Sequence, residues 1–271
     1  MLTPVVTFSM TGYPYLDGGH PFIAFAHRGG LTEATVGLEN SLAAFESAGR
    51  LGYRYLETDV HATRDGVLLA FHDDSLDRTC GIPGEIRDLT YAEVSRARIG
   101  GTSAVPTLSD LFEALPDARF NIDIKAAAAV RPLADLIAER NLQDRVLVGS
   151  FSASRLRAFR ALAGPRVATS AHPLEVAAFL LMPARLARRL SHALALQIPY
   201  RHLGLPIASR YLVRKAHRAG VPVHVWTINE ANEINELLDL GVDGIVTDQT
   251  ELLRAILMER GIWNGLEGGD E

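Results

Sequence analysis

Short apolar runs alternate with stretches of helical periodicity along most of the chain. The run at residues 22–27 is apolar up to His27 and opens into a glycine-containing loop, which is typical of a strand buried on both faces. Similar runs lie near residues 56, 121, 147, 168, 197, 223 and 245, and helical stretches follow most of them. Eight such repeats in a chain of this length predict a distorted (β/α)8 barrel of the TIM type, with parallel strands and right-handed crossovers.

An additional strand interrupts this alternation after the second barrel strand. Residues 55–73 contain two alternating apolar runs separated by Asp65 and Gly66. Asp-Gly is typical of a two-residue type I′ turn, in which both central residues have positive φ. A turn of that length places Asp59 directly opposite His72. The barrel is therefore predicted to carry an extra β-hairpin arm.

One face of this hairpin concentrates ionisable side chains. Side chains on a strand alternate between faces, so Glu57, Asp59 and His61 project to the same side as the cross-strand His72. Two carboxylates close to an imidazole are costly to leave unpaired, and a divalent cation would relieve their repulsion while the histidine moves protons. The pattern favours a metal site on this face.

The remaining pattern fits one domain preceded by an arm. Residues 1–21 contain prolines and glycines and lack the charged start and apolar run of a secretory signal, so we expect an N-terminal arm over the bottom or side of the domain. Residues 22–271 are predicted to form the single barrel domain. Within it, residues 74–106 are a small insertion, because turn-forming residues replace the strand and helix patterns there.

Composition and charge restrict the partners that the chain can have. Its 271 residues are 48% hydrophobic, enough for a large buried core. A formal net charge of −5 predicts no general attraction to nucleic acid, so any phosphate binding must be local. A single cysteine, Cys80, excludes an intramolecular disulfide, and no apolar stretch reaches the ~18 residues of a spanning helix. We expect a cytoplasmic protein without a transmembrane segment.

One long apolar stretch has two interpretations. Residues 174–196 read as a helix interrupted at Pro183, with Arg185, Arg188 and Arg189 clustered along it. The favoured interpretation is an outer barrel helix with a basic, solvent-facing edge. The alternative is an amphipathic helix that makes a weak contact with a membrane surface.

Polar residues collect where the predicted strands end. Catalytic groups of such barrels come from the C-terminal ends of the strands. Two histidines, three acidic groups and two cations at one rim suit a phosphodiester substrate, because the acids can hold a metal while the cations bind phosphate oxygens. The residues at these ends, with the hairpin histidine, are His27, Arg28, Glu57, Asp59, His72, Asp123, Lys125, Phe151, Trp226 and Asp248.

Seven short motifs in a fixed order resemble one known family, the glycerophosphodiester phosphodiesterases. Each motif alone is weak, but their order and spacing match from about residue 23 to 257. They are His27-Arg28-Gly29, Glu39-Asn40, Glu57-Thr58-Asp59-Val60, His72-Asp73, Asp123-Ile124-Lys125, Val225-Trp226-Thr227 and Asp243-Gly244-Ile245-Val246-Thr247-Asp248.

The resemblance implies a role for each site residue. A divalent ion, Mg²⁺ or Ca²⁺, is expected on Glu57, Asp59 and Asp123. The family usually has Glu where this chain has Asp123, so the metal is expected to sit differently, bind more weakly or reach this ligand through water. The other implied roles are His27 and His72 as acid and base catalysts and Arg28 and Lys125 on the phosphate. From their positions in the chain, we further expect Trp226 and Phe151 along the substrate, with Glu39, Asn40 and His61 supporting the site from behind.

The expected activity is metal-dependent hydrolysis of a small glycerophosphodiester to sn-glycerol 3-phosphate and an alcohol. In line with the family, His27 or His72 deprotonates the glycerol 2-hydroxyl, which attacks phosphorus, and the other histidine protonates the leaving alcohol. An alternative is a lysophospholipase D-like activity on lysophospholipids. A non-catalytic barrel that binds phosphate esters is disfavoured, because the chain keeps both histidines and all three acids.

Overall fold

A computed structural model describes residues 11–17 and 22–265 of the chain. Eight parallel strands of this part of the chain form the barrel. They are β1 Ile23–His27, β2 Tyr55–Ala62, β3 Arg119–Ile124, β4 Val146–Gly149, β5 Ala168–Thr169, β6 Leu196–Pro199, β7 Val223–Trp226 and β8 Gly244–Thr247.

The strands pair in the order β5-β4-β3-β2-β1-β8-β7-β6, all of them parallel. The two ends of this path meet through a parallel bridge between Ser170 and Ala195, with a hydrogen bond from the Leu194 backbone N–H to the Thr169 carbonyl. The predicted (β/α)8 barrel is therefore confirmed. Its distortion lies at this closure, because β5 is only two residues long.

The helices surround the strands and begin where the sequence supplies caps. The Ser41 hydroxyl accepts a hydrogen bond from the Ala44 N–H, and Thr107 caps the next long helix in the same way. The helices are Leu42–Arg50, Asp77–Cys80, Tyr91–Val94, Leu108–Ala114, Val130–Glu139, Ala153–Ala163, Pro173–Leu181, Ala184–Leu190, Arg210–Arg218, Ala231–Leu240 and Thr250–Glu259. Shorter 3-10 turns are Glu33–Thr35, Ile86–Asp88, Ala127–Ala129 and Gln143–Arg145.

The long apolar stretch 174–196 is divided into two helices. Pro183 separates Pro173–Leu181 from Ala184–Leu190, since proline cannot donate the hydrogen bond that would continue the first helix. The predicted interruption at this proline is correct, but the second helix ends at Leu190 and does not reach residue 196. In the described part of the chain, no helix combines the length and the apolar character needed to cross a membrane.

The hairpin strand Leu68–Ala70 pairs antiparallel with β2, as predicted, but its loop differs from the prediction. The loop has three residues, 64–66, and is closed by a hydrogen bond from the Thr63 N–H to the Val67 carbonyl. Gly66 has a φ of +83° whereas Asp65 lies outside the left-handed region, so the turn is not type I′. The Asp65 carboxylate instead accepts hydrogen bonds from Thr63 and from the Tyr91 N–H, which ties the loop to the insertion.

The longer loop shifts the register of the hairpin by one residue. Val60 pairs with Ala70, and the Phe71 N–H donates to the Asp59 carbonyl at 3.0 Å. The prediction that Asp59 lies directly opposite His72 is therefore wrong. His72 follows the end of the hairpin strand, where the alternation of faces no longer fixes its direction.

Two further segments close the barrel. Residues 74–106 pack Leu76, Ile86 and Val94 against the hairpin in a small core of their own, which includes the short strands Arg98–Ile99 and Ser103–Ala104. At the bottom, Tyr15 is fully buried among side chains that line the barrel interior, and the Tyr55 hydroxyl donates to its carbonyl. Residues 18–21 lie outside the described residues, so the division of arm and domain at residue 22 stays a prediction.

Candidate active site

His27 ends β1 and is fixed by a carboxylate from the neighbouring strand. Its Nδ1 lies 2.6 Å from Oδ1 of Asp248, and a carboxylate only accepts hydrogen bonds, so Nδ1 carries the proton. Asn229 donates to the other Asp248 oxygen at 2.8 Å. Burial alone would lower the pKa of His27, but Glu57 and the hydrogen-bonded Asp248 outweigh it and raise that pKa. Nε2 is left 3.8 Å from Glu57 Oε2.

Arg28 follows in a strained backbone conformation that brings its guanidinium between two acids. Its φ is +50°, which is uncommon for a residue with a side chain. Its Nη1 lies 3.0 Å from Glu39 Oε1 and its Nε lies 3.2 Å from Asp59 Oδ2. The next residue must be glycine, because a Cβ on Gly29 would lie 2.7 Å from the Ala44 Cβ. The His-Arg-Gly sequence thus follows from the turn that places both polar side chains.

Three carboxylates and an ammonium group lie at the ends of β2 and β3. Asp59 and Asp123 are register partners on the two strands, and Lys125 Nζ lies 2.9 Å from Asp59 Oδ1 and 2.8 Å from Asp123 Oδ2. Burial and the charges of Asp59 and Asp123 raise the pKa of Glu57 to about 7. Burial alone would lower the pKa of Lys125, but the two aspartates raise it. The cluster therefore holds more negative charge than its cations compensate.

This donor set fits a divalent cation in charge and in chemistry. Carboxylate oxygens are the ligands that Mg²⁺ and Ca²⁺ prefer, and a cation would offset both causes that raise the pKa of Glu57, burial first and the neighbouring carboxylates second. Within residues 11–17 and 22–265, however, no three His, Cys, Asp or Glu side chains stand in a metal-binding arrangement. At Asp123 and Asp59 the carboxylates instead share the Lys125 ammonium, whose Nζ contacts both.

His72 is oriented in the same manner as His27. Its Nδ1 lies 2.6 Å from Oδ1 of Asp73, and Arg78 donates to the same carboxylate from the insertion. Arg78 also donates to both oxygens of Glu39, so a chain of ion pairs connects His72 to Arg28. The hydrogen bond from Arg78 is the largest cause that lowers the pKa of Asp73 to about 2. No sequence pattern indicated Arg78.

Phe151 and Trp226, predicted to lie along the substrate, are in contact with each other. Their ring centroids are 5.5 Å apart in an edge-to-face arrangement. Lys125 Nζ lies 5.7 Å from the Phe151 ring centroid, which connects the aromatic pair to the acidic cluster. Phe151 is 59% exposed, so this aromatic pair is accessible from solvent.

The residues predicted to support the site lie behind it. His61 is buried and its Nε2–H donates to the His72 carbonyl at 3.0 Å, so it fixes the backbone of the catalytic candidate. Asn40 accepts a hydrogen bond from Thr58 Oγ1 at 2.7 Å, and its Nδ2 lies 3.5 Å from Asp59 Oδ2. Burial lowers the pKa of His61, which favours the neutral form of this imidazole.

These side chains face one cavity of about 510 Å³. It brings together nine of the predicted residues: His27, Arg28, Glu57, Asp59, His72, Asp123, Lys125, Phe151 and Trp226. Glu39, Asn40 and His61 do not line it. Sequence reasoning missed Asn121, which lines the cavity and could have been inferred, since it alternates with Asp123 on β3. The far wall is apolar and contains Val176, Ala177, Leu180, Ile198 and Ile207.

Comparison with known proteins gives a consistent result. The model of the glycerophosphoryl diester phosphodiesterase family matches residues 27–252. The chain is 42% identical over 261 residues to the Mycobacterium tuberculosis protein named "Probable glycerophosphodiester phosphodiesterase 2", covering 92% of this chain and 99% of that protein. It is 27% identical to the human "Lysophospholipase D GDPD1", covering 86% of this chain and 85% of that protein.

Among solved structures, the fold resembles that of an Oleispira antarctica phosphodiesterase crystallised with its product sn-glycerol-3-phosphate. The TM-score is 0.72 and the identity 24%, over 87% of this chain and 96% of that one. At this level of identity the similarity concerns the barrel alone.

Proposed function

Because this chain belongs to the glycerophosphoryl diester phosphodiesterase family, a family of phosphoric diester hydrolases, we propose that it hydrolyses glycerophosphodiesters to sn-glycerol 3-phosphate and an alcohol. One observation supports this proposal above others. Two imidazoles at the same cavity, His27 and His72, are each fixed through Nδ1 by a carboxylate, so proton transfer to a substrate falls to Nε2 of each ring.

The two histidines divide the proton transfers. One imidazole removes the proton of the glycerol 2-hydroxyl, whose oxygen forms a bond to phosphorus as the bond to the head-group alcohol breaks. The other imidazole protonates the departing alkoxide. Water then opens the cyclic phosphodiester, with the same two groups in exchanged roles, and glycerol 3-phosphate leaves.

Arg28 and Lys125 bind the phosphate oxygens in this proposal. Both cations are already held in place by acids, Arg28 by Glu39 and Asp59, and Lys125 by Asp59 and Asp123. Fixed donors of this kind stabilise the charge that develops on the phosphate without reorganising during the reaction. Phe151 and Trp226 form the wall along which the glycerol moiety lies.

The family generally depends on a divalent metal ion. Glu57, Asp59 and Asp123 would hold that ion, Mg²⁺ or Ca²⁺, and when bound it supplies Lewis-acid stabilisation of the phosphate oxygens. Asp123 would contribute to this set as the carboxylate that Lys125 Nζ contacts at 2.8 Å.

A lysophospholipid is the second candidate substrate. The apolar cavity wall formed by Val176, Ala177 and Leu180 favours it, because a glycerophosphodiester without an acyl chain has no group to place there. The human relative named as a lysophospholipase D is consistent with this possibility.

The expected cytoplasmic location stays a prediction.

Product analysis distinguishes the candidates. The purified protein is incubated with glycerophosphocholine, glycerophosphoethanolamine or lysophosphatidylcholine, with Mg²⁺ or Ca²⁺ and with a chelator. We expect glycerol 3-phosphate and free choline or ethanolamine from the first two, and loss of both products with chelator. Release of choline from lysophosphatidylcholine at a higher rate than from glycerophosphocholine would favour the second candidate. Substrate binding without any product would show a non-catalytic barrel.

A further inference from the structure

Charge is distributed unevenly along this chain. Residues 171–220 contain eight of its 27 Lys and Arg residues and one of its 32 acidic residues. This segment therefore has a formal charge of +7, whereas the rest of the chain has −12. Its one acid, Glu175, is buried and paired with Arg160. The exposed surface of the segment is consequently basic on a protein that is acidic overall.

The same segment exposes large apolar side chains. Of the thirteen large hydrophobic residues exposed in the described part of the chain, eight belong to it. Leu181 is 84% exposed and Leu203 is 90% exposed. The full set is Leu174, Leu181, Met182, Leu186, Leu190, Leu203, Leu205 and Tyr211. Clustered exposure of this kind marks an interaction surface, whereas single exposed leucines do not.

This surface continues from the apolar wall of the cavity. On the helix Pro173–Leu181, the residues Val176, Ala177 and Leu180 face the cavity, while Leu174 and Leu181 form a neighbouring stripe one heptad apart that faces solvent. A short hairpin also places a cavity residue next to an exposed leucine. It consists of the strands Arg201–His202 and Leu205–Pro206, and in it His202 lines the cavity while Leu203, at the tip, is exposed. Leu181 and Leu203 thus directly follow residues that line the cavity, Leu180 and His202.

Arginines lie between these leucines on the second helix. In Ala184–Leu190, Arg185 and Arg189 are exposed and alternate with the exposed Leu186 and Leu190. Aliphatic side chains interleaved with arginines match the interface of an anionic bilayer, where leucines enter the acyl region and guanidinium groups meet head-group phosphates. Nucleic acid matches less well, since bases stack on aromatic side chains rather than on leucines.

We propose that this basic apolar face, residues 173–190 with the hairpin 201–206, docks on an anionic lipid bilayer and so presents the cavity mouth to the lipid. The negative charge of the remaining chain is repelled by the same bilayer, which favours a single orientation of the bound protein. Docking in this orientation exposes the apolar cavity wall to lipid-borne molecules.

Vesicle co-sedimentation tests the proposal without any turnover. Phosphatidylcholine vesicles are compared with vesicles that also contain phosphatidylglycerol, for the wild-type protein and two double variants. Arg185→Gln with Arg189→Gln should lower the partition coefficient on anionic vesicles about 30-fold. Leu181→Ser with Leu203→Ser should lower it at least about tenfold. Glycerophosphocholine hydrolysis by each variant reports that the barrel is folded.

A control variant removes one exposed cation and one exposed apolar side chain away from this face. Arg131→Gln with Met258→Ser changes an exposed arginine and an exposed methionine on other helices and should keep vesicle binding within about twofold of wild type. Failure of the wild-type protein to bind anionic vesicles would overturn the proposal, and so would equal losses in the control. A wild-type dimer in sedimentation velocity that Leu181→Ser with Leu203→Ser dissociates, without vesicle binding, would assign the face to a second copy of the chain.

Discussion

His27 Nδ1 lies 2.6 Å from Asp248 Oδ1, although 221 positions separate the two residues in the chain. The register of the barrel produces this contact. Ala26 on β1 pairs with Thr247 on β8, so the residues that follow them, His27 and Asp248, lie side by side at the rim. Closure of the barrel thus assembles the imidazole and carboxylate pair that orients one catalytic candidate.

Replacement of Asp248 tests whether this pair orients the imidazole. Asp248→Asn presents an amide instead of a carboxylate, which favours the wrong tautomer of His27 and should lower kcat about 10²- to 10⁴-fold with little change in KM. The control is Asp243→Asn, which disturbs a comparable buried pair with His217 away from the cavity. That variant should keep most of the wild-type kcat, and an equal loss in both would show a general structural effect.

Removal of either catalytic imidazole should nearly abolish turnover. His27→Ala and His72→Ala are each expected to lower kcat about 10²- to 10⁴-fold, since each residue carries one proton transfer. The double variant should lose less than the product of the two single effects, because the transfers belong to one reaction. His192→Ala, outside the cavity, is the control. A single variant that keeps more than about a tenth of the wild-type rate has no catalytic role.

The local parts of the site could be predicted from sequence. Strand alternation placed Glu57 with Asp59, and Asp123 with Lys125, because the direction of a side chain on a strand depends only on its position within that strand. The helix break at Pro183 likewise depends on a few neighbouring residues.

Features that depend on distant contacts could not be predicted. The Asp-Gly pair occurs in hairpin loops of two or three residues, and the longer loop is stabilised here by the hydrogen bond from Tyr91 to Asp65, 26 positions away. Arg78 reaches Glu39 from the insertion, and no periodic pattern marks its position. The proximity of Lys125 to Asp123 is a matter of side-chain rotamers, which a sequence does not specify.

A longer acid at position 123 should strengthen metal binding. Asp123→Glu adds one methylene, so the carboxylate can reach an ion held by Glu57 and Asp59 without displacing Lys125. We expect the concentration of Mg²⁺ or Ca²⁺ at half-maximal rate to fall about tenfold. Calorimetric titration of the metal should show the same shift without substrate. An unchanged metal requirement in both measurements would remove position 123 from the ligand set.

His224 should make the protein sensitive to acid. It is fully buried beside Phe25, with ring centroids 5.0 Å apart, and burial lowers its pKa from 6.5 to about 3. Below pH 6.5 the unfolded chain binds a proton that the folded chain cannot, so this contribution to stability is present above pH 6.5 and is lost as pH falls towards 3.

The variant His224→Leu removes this titration. Between pH 6.5 and 4.5 its free energy of unfolding should fall by about 2 kcal/mol less than that of the wild-type protein. Urea unfolding at several pH values gives the free energy of unfolding of each protein as a function of pH. If this free energy changes with pH equally in both proteins, His224 titrates alike in the folded and unfolded chain, whatever the absolute stability of the variant.

The release of glycerol 3-phosphate from glycerophosphocholine, followed with the purified wild-type protein and Mg²⁺ or Ca²⁺, tests the central claim most directly. The arrangement of His27, His72, Arg28 and Lys125 around one cavity predicts stoichiometric glycerol 3-phosphate and choline, formed at a rate that chelation abolishes and readdition of the metal restores. No product with either metal, or phosphocholine and glycerol in place of glycerol 3-phosphate, would contradict it.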